Sequence, residues 1–159
     1  MIYMGCDASS EGFGIALMND TELLWKTTLK RNKKTDEWQH LKTIYEYLDG
    51  TVKNMNVEKI VLEDIYVGNN ATTVKLLGTL RGIVHAVSFN HNIPLEIIHT
   101  MTMKSVISKQ YPQYQKIPKE KIKMQIYRII TNEYNLDPKT TTDETDAIAI
   151  VLTHLYKES

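Results

Sequence analysis

The sequence has few of the features that crosslink a chain or anchor it in a membrane. Its 159 residues include one cysteine, Cys6, which excludes an intrachain disulfide and argues against a cysteine-based zinc site. No apolar run approaches the roughly 18–20 residues that cross a bilayer. The start, MIYMGCDASS, lacks the charged lead and apolar run of a secretory signal. We therefore expect one intracellular, cytoplasmic domain over residues 1–159.

The chain also lacks net charge, since 19 Lys and Arg residues balance 19 Asp and Glu residues. That balance argues mildly against a nucleic-acid-binding protein, but the charges are unevenly distributed. Residues 26–34 are basic, and Glu120 is the only acid in a second basic segment that contains Lys104, Lys109, Lys116, Lys119, Lys121, Lys123 and Arg128. Such runs are most often solvated faces. A basic region combined with a separate acidic cluster nevertheless suits a protein that binds phosphate and metal together.

Hydrophobic periodicity predicts three strands, then alternating helices and strands, then helices. Asn19-Asp20 is a good tight turn and predicts that the second and third strands form an antiparallel hairpin. The predicted strands are 2–8, 12–18, 21–29, 58–63 and 94–98, and the predicted helices are 36–55, 71–90, 101–110, 119–134 and 143–157. This order indicates an α/β fold with a mixed five-stranded sheet and helices on both faces.

Carboxylates stand at the ends of several predicted elements. Asp7 closes the first strand, and either Glu63 or its neighbour Asp64 closes the strand EKIVLE. Asp143 and Asp146 begin the 143–157 helix, on one face of it because they are three residues apart. If the first and fourth strands are neighbours, these acids meet at one edge of the sheet.

Converging carboxylates repel one another unless cations neutralise them. Hard oxygen ligands suit Mg²⁺, with Mn²⁺ as a substitute, and two such ions about 4 Å apart can catalyse phosphodiester hydrolysis. The structural alternative for Asp143 is helix capping, with Thr142 as another candidate cap and Glu144 or Asp146 answering the helix dipole. Asp7 is less easily explained that way, because a carboxylate after a buried strand is costly without a partner.

Three motifs together resemble the RuvC family of Holliday junction resolvases over nearly the whole chain. They are GCDASSEGFGIAL, VLEDIYVGNNATTVKLLGTLRGIV and TDETDAIAIVLTH. The resemblance assigns Glu63 rather than Asp64. It implies a ribonuclease-H-like fold in which two Mg²⁺ ions bind Asp7, Glu63, Asp143 and Asp146, and a homodimer that grips a four-way DNA junction and cuts two strands symmetrically.

The resemblance also implies that an aromatic residue, here Tyr66, stacks near the junction centre, and that two lysines act near the scissile phosphate. The matching lysines are Lys104 and Lys121, with Lys119 as the alternative to Lys121. Together with the charge pattern, this gives a predicted DNA-binding set of Tyr66, Lys75, Arg81, Lys104, Lys109, Lys116, Lys119, Lys121 and Lys123. Two further residues have simpler interpretations: His154 is predicted to be a surface or interface histidine, and Asn70 to lie in the N-cap region of a helix.

The chain departs from the family pattern in two places. Asp7-Ala8-Ser9 replaces the usual Asp-Pro-Gly, and the loop YPQYQKIP differs. These features resemble a divergent, phage-type branch, for which the expected location is the host cytoplasm. They leave open the preferred cleavage sequence, action on three-way and flap DNA, and any partnership with a branch-migration motor.

Three alternatives remain at this point. One is a monomeric nuclease of the same fold that acts on RNA, and another is a junction-binding protein without catalysis, which would not need the full carboxylate set. The third is an actin-like phosphotransferase, for which 159 residues is too short.

Overall fold

A computed structural model describes residues 1–157, and over that range it shows five strands and five helices. The strands are β1 (Ile2–Ala8), β2 (Gly12–Asn19), β3 (Glu22–Lys30), β4 (Lys59–Glu63) and β5 (Leu95–Ile98). The helices are α1 (Glu37–Met55), α2 (Ala71–His91), α3 (Thr100–Gln110), α4 (Ile122–Glu133) and α5 (Thr142–Lys157). Within residues 1–157, none of these helices is long and apolar enough to cross a membrane.

The strands form one mixed sheet in the order β3-β2-β1-β4-β5. The first three strands pair antiparallel, whereas β1 with β4 and β4 with β5 pair parallel. The parallel pairs are joined through helices, as parallel strands require. The mixed five-stranded sheet predicted from the sequence is therefore confirmed.

Strand alternation divides the side chains between two cores, one on each face of the sheet. On β1, Met4 and Cys6 join the core covered by α1 and α2. Tyr3 belongs to the core covered by α3, α4 and α5. The helices thus cover both faces, as the order of elements predicted.

Helix α5 lies directly on the sheet because two glycines leave room for its backbone. A Cβ added at Gly5 would lie 2.0 Å from the carbonyl oxygen of Ala147, and one at Gly14 would lie 2.2 Å from that of Asp143. Both distances are far below van der Waals contact. These glycines therefore set how closely the start of α5 approaches the ends of β1 and β2.

The structure differs from the predicted elements at two places. The β2–β3 turn is formed by Asp20 and Thr21 rather than by Asn19-Asp20, with Asp20 in the left-handed region at φ 50°, a conformation that Asp tolerates well. Helix α4 begins at Ile122 rather than at residue 119, because Lys119 has a φ of 64° and Lys121 is the N-cap. The other bounds agree within one residue.

Candidate active site

Asp7 and Glu63 are brought together by the pairing of β1 with β4. The register places Cys6 beside Leu62, so the next residue on each strand, Asp7 and Glu63, also lies side by side. Asp7 points to the same face as Tyr3, and Glu63 to the same face as Val61, since side chains alternate along a strand. Both carboxylates therefore face α5.

The same alternation separates Glu63 from Asp64. Asp64 faces α2, where its Oδ1 accepts a hydrogen bond of 2.7 Å from Arg81. Glu63 instead accepts a hydrogen bond of 2.6 Å from Thr100 at the start of α3. The structure thus puts Glu63, and not its neighbour, beside Asp7, and gives Arg81 an ion-pair partner within the chain.

The start of α5 carries the other two acids, and neither is needed as its cap. Thr141 Oγ1 accepts a hydrogen bond of 3.1 Å from the backbone N–H of Glu144, which is the contact an N-cap makes. Glu144 itself forms an ion pair with Lys26 of β3. Because Thr141 caps the helix, Asp143 and Asp146 are not required as caps, and both point toward the ends of β1 and β4.

Asp7, Glu63 and Asp146 form a cluster that could hold a metal ion. One carboxylate oxygen from each lies within 4.8 Å of the others. Asp7 and Asp146 are buried, and Oδ1 of Asp146 has no hydrogen-bond partner among residues 1–157. A buried carboxylate oxygen without a donor is costly, and a bound divalent cation would satisfy it. The residues present therefore fit a Mg²⁺ or Mn²⁺ site.

The pKa values of the three clustered carboxyl groups are all raised, as expected for buried acids that lie close together. Burial, followed by the neighbouring charge of Glu63, raises the pKa of Asp7 well above its ordinary value. Burial also raises the pKa of Glu63. Burial and the charge of Asp7 raise the pKa of Asp146 from its ordinary 3.8 to about 7. Each upward shift means that the positive charge nearby does not fully stabilise the anionic form of the carboxyl group.

Lys123 of α4 supplies the positive charge that the cluster does have. Its Nζ lies 3.2 Å from Asp7 Oδ2, 2.9 Å from Asp143 Oδ1 and 3.0 Å from Asp146 Oδ2. Burial alone would lower the pKa of Lys123, but the three carboxylates outweigh it and raise the pKa above its ordinary value. Oδ2 of Asp143 accepts a further hydrogen bond of 3.0 Å from Ser9, so Asp143 is held by Lys123 and Ser9.

The sequence predicted Lys123 only as a DNA-binding residue. Its position among the acids was missed because the resemblance pointed to Lys121, two residues earlier. Lys121 is exposed at the N-cap of α4, and Lys104 is partly buried on α3. The available signal was helical spacing: residues two apart on a helix face different directions, so only one of Lys121 and Lys123 could point into the cluster.

A groove of about 350 Å³ leads from the solvent to the acids. Asp7, Glu63, Asp146 and Lys123 line it, and Tyr66 stands at its side with 80% of its surface exposed. The remaining predicted DNA-binding residues lie away from the groove lining: Lys75, Arg81, Lys104, Lys109, Lys116, Lys119 and Lys121. Of these, Lys104 and Arg81 are partly buried and the others are exposed.

Two smaller predictions had different outcomes. Asn70 is the N-cap of α2 and accepts from the backbone N–H of Thr73 at 3.1 Å, as predicted. His154 is not a surface residue: it is 3% exposed and its Nδ1 lies 2.6 Å from Glu96 of β5. The surface interpretation was wrong because the partner is 58 residues away in the chain, so no local pattern indicates the burial.

Comparison with protein families and curated proteins identifies one family. The family model described as "Crossover junction endodeoxyribonuclease RuvC" matches residues 3–154. The protein of that name from Campylobacter lari is 28% identical over 164 residues, covering 97% of this chain and 95% of the relative. The one from Haemophilus influenzae (strain PittEE) is 24% identical over 160 residues, covering 98% and 79%.

Solved structures share the fold at lower identity. The Thermus thermophilus RuvC in complex with a Holliday junction substrate superimposes with a TM-score of 0.81 at 15% identity, covering 99% of this chain and 95% of that one. The yeast mitochondrial Holliday junction resolvase Ydc2 gives 0.63 at 11% identity, covering 98% and 79%. Since the family model spans nearly the whole chain, this protein belongs to the RuvC family of crossover junction endodeoxyribonucleases.

Proposed function

We propose that this protein is a Mg²⁺-dependent endonuclease that resolves Holliday junctions, and acts on other branched DNA, as a homodimer. The observation that carries the proposal is the convergence of Asp7, Glu63 and Asp146 within 4.8 Å at the bottom of an open groove, in a member of the RuvC family. A protein that only bound DNA would gain nothing from buried carboxylates in its binding groove, because they repel the phosphates of the DNA backbone. The cluster instead suits the chemistry of phosphodiester hydrolysis.

The catalytic set we propose is Asp7, Glu63, Asp143 and Asp146 with two bound Mg²⁺ ions, for which Mn²⁺ can substitute. When bound, such ions lower the pKa of an attacking water and stabilise the leaving oxygen. The side chains hold the oxygen ligands in place: Thr100 orients Glu63, and Ser9 orients Asp143. The burial of Asp7 and Asp146 keeps competing water away from their oxygens.

Basic residues around the groove would contact the DNA backbone. We propose that this surface consists of Lys75, Arg81, Lys104, Lys109, Lys116, Lys119, Lys121 and Lys123. Among them, Lys104 and Lys121 would act at the scissile phosphate. Most of these residues are exposed, so their charges are available to phosphate. Binding should therefore weaken steeply as salt rises, because each neutralised phosphate releases counterions.

Tyr66 is the residue we propose for contact with the branch point. It lies beside the acidic groove and is 80% exposed, so packing within the chain does not explain an aromatic side chain there. Stacking of an aromatic ring on an unpaired base contributes roughly 1–3 kcal/mol. The stacking of base pairs is interrupted at the centre of a four-way junction, where the strands exchange, so a base there can be contacted by the ring.

A homodimer follows from the symmetry of the reaction. Resolving a four-way junction requires two cuts related by a two-fold axis, and each chain carries one carboxylate cluster over residues 1–157. A C2 dimer presents two identical sites in that relationship. Light scattering after gel filtration should give twice the monomer mass of 18.4 kDa.

The deciding experiment is cleavage of end-labelled four-way, three-way, flap and linear DNA, with a structured RNA as competitor substrate. We expect paired cuts in the four-way junction with Mg²⁺ or Mn²⁺, and binding without cutting in Ca²⁺ or EDTA. Cleavage of the RNA in preference to branched DNA would favour the monomeric ribonuclease alternative. Tight junction binding with no cutting under any metal would favour a non-catalytic junction-binding protein.

A further inference from the structure

Lys123 occupies a position that its predicted role in DNA binding does not explain. Its ammonium group lies within 3.2 Å of carboxylate oxygens from Asp7, Asp143 and Asp146. A lysine that served only to contact phosphate would not place its ammonium group among three carboxylates. This one points into the acids and offsets their mutual repulsion.

The contacts of Lys123 divide the cluster into two sides. On one side Asp7, Glu63 and Asp146 present oxygens within 4.8 Å of one another, and Asp146 Oδ1 has no donor among the described residues. On the other side Asp143 Oδ1 and Asp146 Oδ2 are already held by the ammonium, at 2.9 and 3.0 Å. Lys123 also lies 3.2 Å from Asp7 Oδ2, so it touches the Glu63 side as well, but less closely. Free ligand capacity therefore remains at Asp146 Oδ1 on the Glu63 side, whereas the Lys123 ammonium occupies the Asp143 side.

We infer that Lys123 is a built-in counter-cation of the metal-free site: a divalent ion enters first on the Glu63 side, and a second ion binds only by displacing the Lys123 ammonium from Asp143. This inference rests on the proposed metal-dependent function. Displacement requires no unfolding, because 43% of the Lys123 side chain is exposed to solvent. Its long aliphatic stem can swing the charge outward while α4 stays in place.

Two consequences distinguish this role from that of a simple structural ion pair. Without Lys123, the metal-free protein carries four neighbouring acids with no ion-pair partner for Asp7, Asp143 or Asp146 among residues 1–157, so it should be less stable in EDTA. The weaker divalent ion, however, should bind more tightly, because it meets an additional unpaired carboxylate and no competing charge. We expect its affinity to rise at least about tenfold, which corresponds to about 1.4 kcal/mol. A lysine that merely oriented the ligands would give the opposite result.

The test is Mn²⁺ titration of the full chain by calorimetry, with thermal unfolding in EDTA as the second measurement. The variants are Lys123→Met, which removes the charge but keeps the stem, and Lys123→Gln, which keeps a polar group and guards against misfolding of the first. Lys59→Met is the matched control, since it removes a partly buried lysine 3.3 Å from Glu96 at a different carboxylate. Asp146→Asn reports whether Mn²⁺ binds at the cluster at all.

We expect two unequal Mn²⁺ sites in the parent protein. The weaker site should become at least tenfold tighter in both Lys123 variants and stay unchanged in Lys59→Met, and the unfolding midpoint in EDTA should fall. Unchanged or weaker Mn²⁺ binding in the Lys123 variants, with binding in the parent still lost in Asp146→Asn, overturns the inference alone. Absence of any Mn²⁺ binding that depends on Asp146 overturns the proposed function as well.

Discussion

Thr100 donates a hydrogen bond of 2.6 Å to Oε1 of Glu63. The contact joins two neighbouring parallel strands, because Ile98 at the end of β5 pairs with Glu63 at the end of β4 and α3 begins two residues later. Glu63 is the acid with the longest side chain in the cluster and so has the most rotamers to lose. The Thr100 hydroxyl holds it in the rotamer that faces Asp7.

Removing that hydroxyl should slow cleavage without weakening DNA binding. We expect Thr100→Val to reduce the single-turnover cleavage rate roughly ten- to a hundredfold, because one hydrogen bond to a charged group contributes about 1.5–3 kcal/mol, with an unchanged junction Kd. Thr100→Ser keeps the donor and should cleave at close to the parental rate. A loss of cleavage in Thr100→Ser with near-parental cleavage by Thr100→Val would show that the methyl group, and not the hydroxyl, matters.

Glu63 and Asp64 provide a matched pair of neighbouring acids with different surroundings. Glu63→Gln should lower cleavage by on the order of a hundredfold or more, and Asp7→Asn and Asp146→Asn should do the same, while junction binding persists. Asp64→Asn removes a carboxylate that pairs with Arg81 and should cut within a fewfold of the parent. Near-parental cleavage by Asp7→Asn or Asp146→Asn would refute the site assignment.

The metal-free protein should become less stable as pH rises from about 4 to about 7. Burial and the charge of Asp7 raise the pKa of folded Asp146 from 3.8 to about 7, so the folded state binds more protons than the unfolded state between these values. The stabilisation is therefore full below pH 4 and lost as pH passes 7, at up to about 1.4 kcal/mol per pH unit. Urea unfolding in EDTA at several pH values measures the slope.

Asp146→Asn is the control for that slope. It should flatten the pH dependence without abolishing it, since the pKa values of Asp7 and Glu63 shift in the same direction. Adding Mg²⁺ at pH 8 should restore stability to the parent by mass action and have little effect on the variant. An identical slope in both proteins would mean that Asp146 is not the titrating group.

The close approach of α5 to the sheet should be intolerant of any added side chain. Gly5→Ala and Gly14→Ala each place a Cβ within 2.2 Å of an α5 carbonyl oxygen, so α5 must shift and carry Asp143 and Asp146 with it. We expect a loss of about 1–3 kcal/mol or more in unfolding free energy, together with reduced cleavage. Gly78→Ala on α2, where a Cβ meets nothing within 4 Å, should be neutral or stabilising by up to about 1 kcal/mol.

Tyr66 should contribute to junction affinity and not to stability, because it is 80% exposed. Tyr66→Ala is expected to weaken binding to a four-way junction by roughly 1–3 kcal/mol and to leave the unfolding midpoint unchanged. Tyr66→Phe retains the ring and should bind almost normally. A fall in binding to linear duplex as large as the fall for the junction would rule out a role at the branch point.

Much of the fold can be predicted from the sequence because the patterns that determine it are local. The period of two along β1 and β4 indicates which residues share a face, and an acid directly after a buried strand, as at Asp7, requires a partner. These features predicted the mixed sheet and, if the first and fourth strands are neighbours, placed Asp7 and either Glu63 or Asp64 at one edge of it. The identity of Glu63 over Asp64 needed the family resemblance, since the strand end could have fallen at either residue.

The features that sequence reasoning missed depend on contacts between distant segments. The role of Lys123 depends on where α4 begins, and that start is set by the left-handed conformation of Lys119, which a basic loop sequence does not reveal. The burial of His154 depends on Glu96, which belongs to a different element. In each case a side chain's direction is decided by its packing partner and not by its neighbours in the chain.

The four acids are divided between segments that the ribosome delivers at very different times. A nascent chain that has emerged as far as residue 141 already holds Asp7 and Glu63 but neither Asp143 nor Asp146, and α5 does not yet cover Gly5 and Gly14 of its sheet. Such a chain lacks two of the four proposed metal ligands. If the proposed site is correct, the capacity to cut DNA appears only after translation of α5.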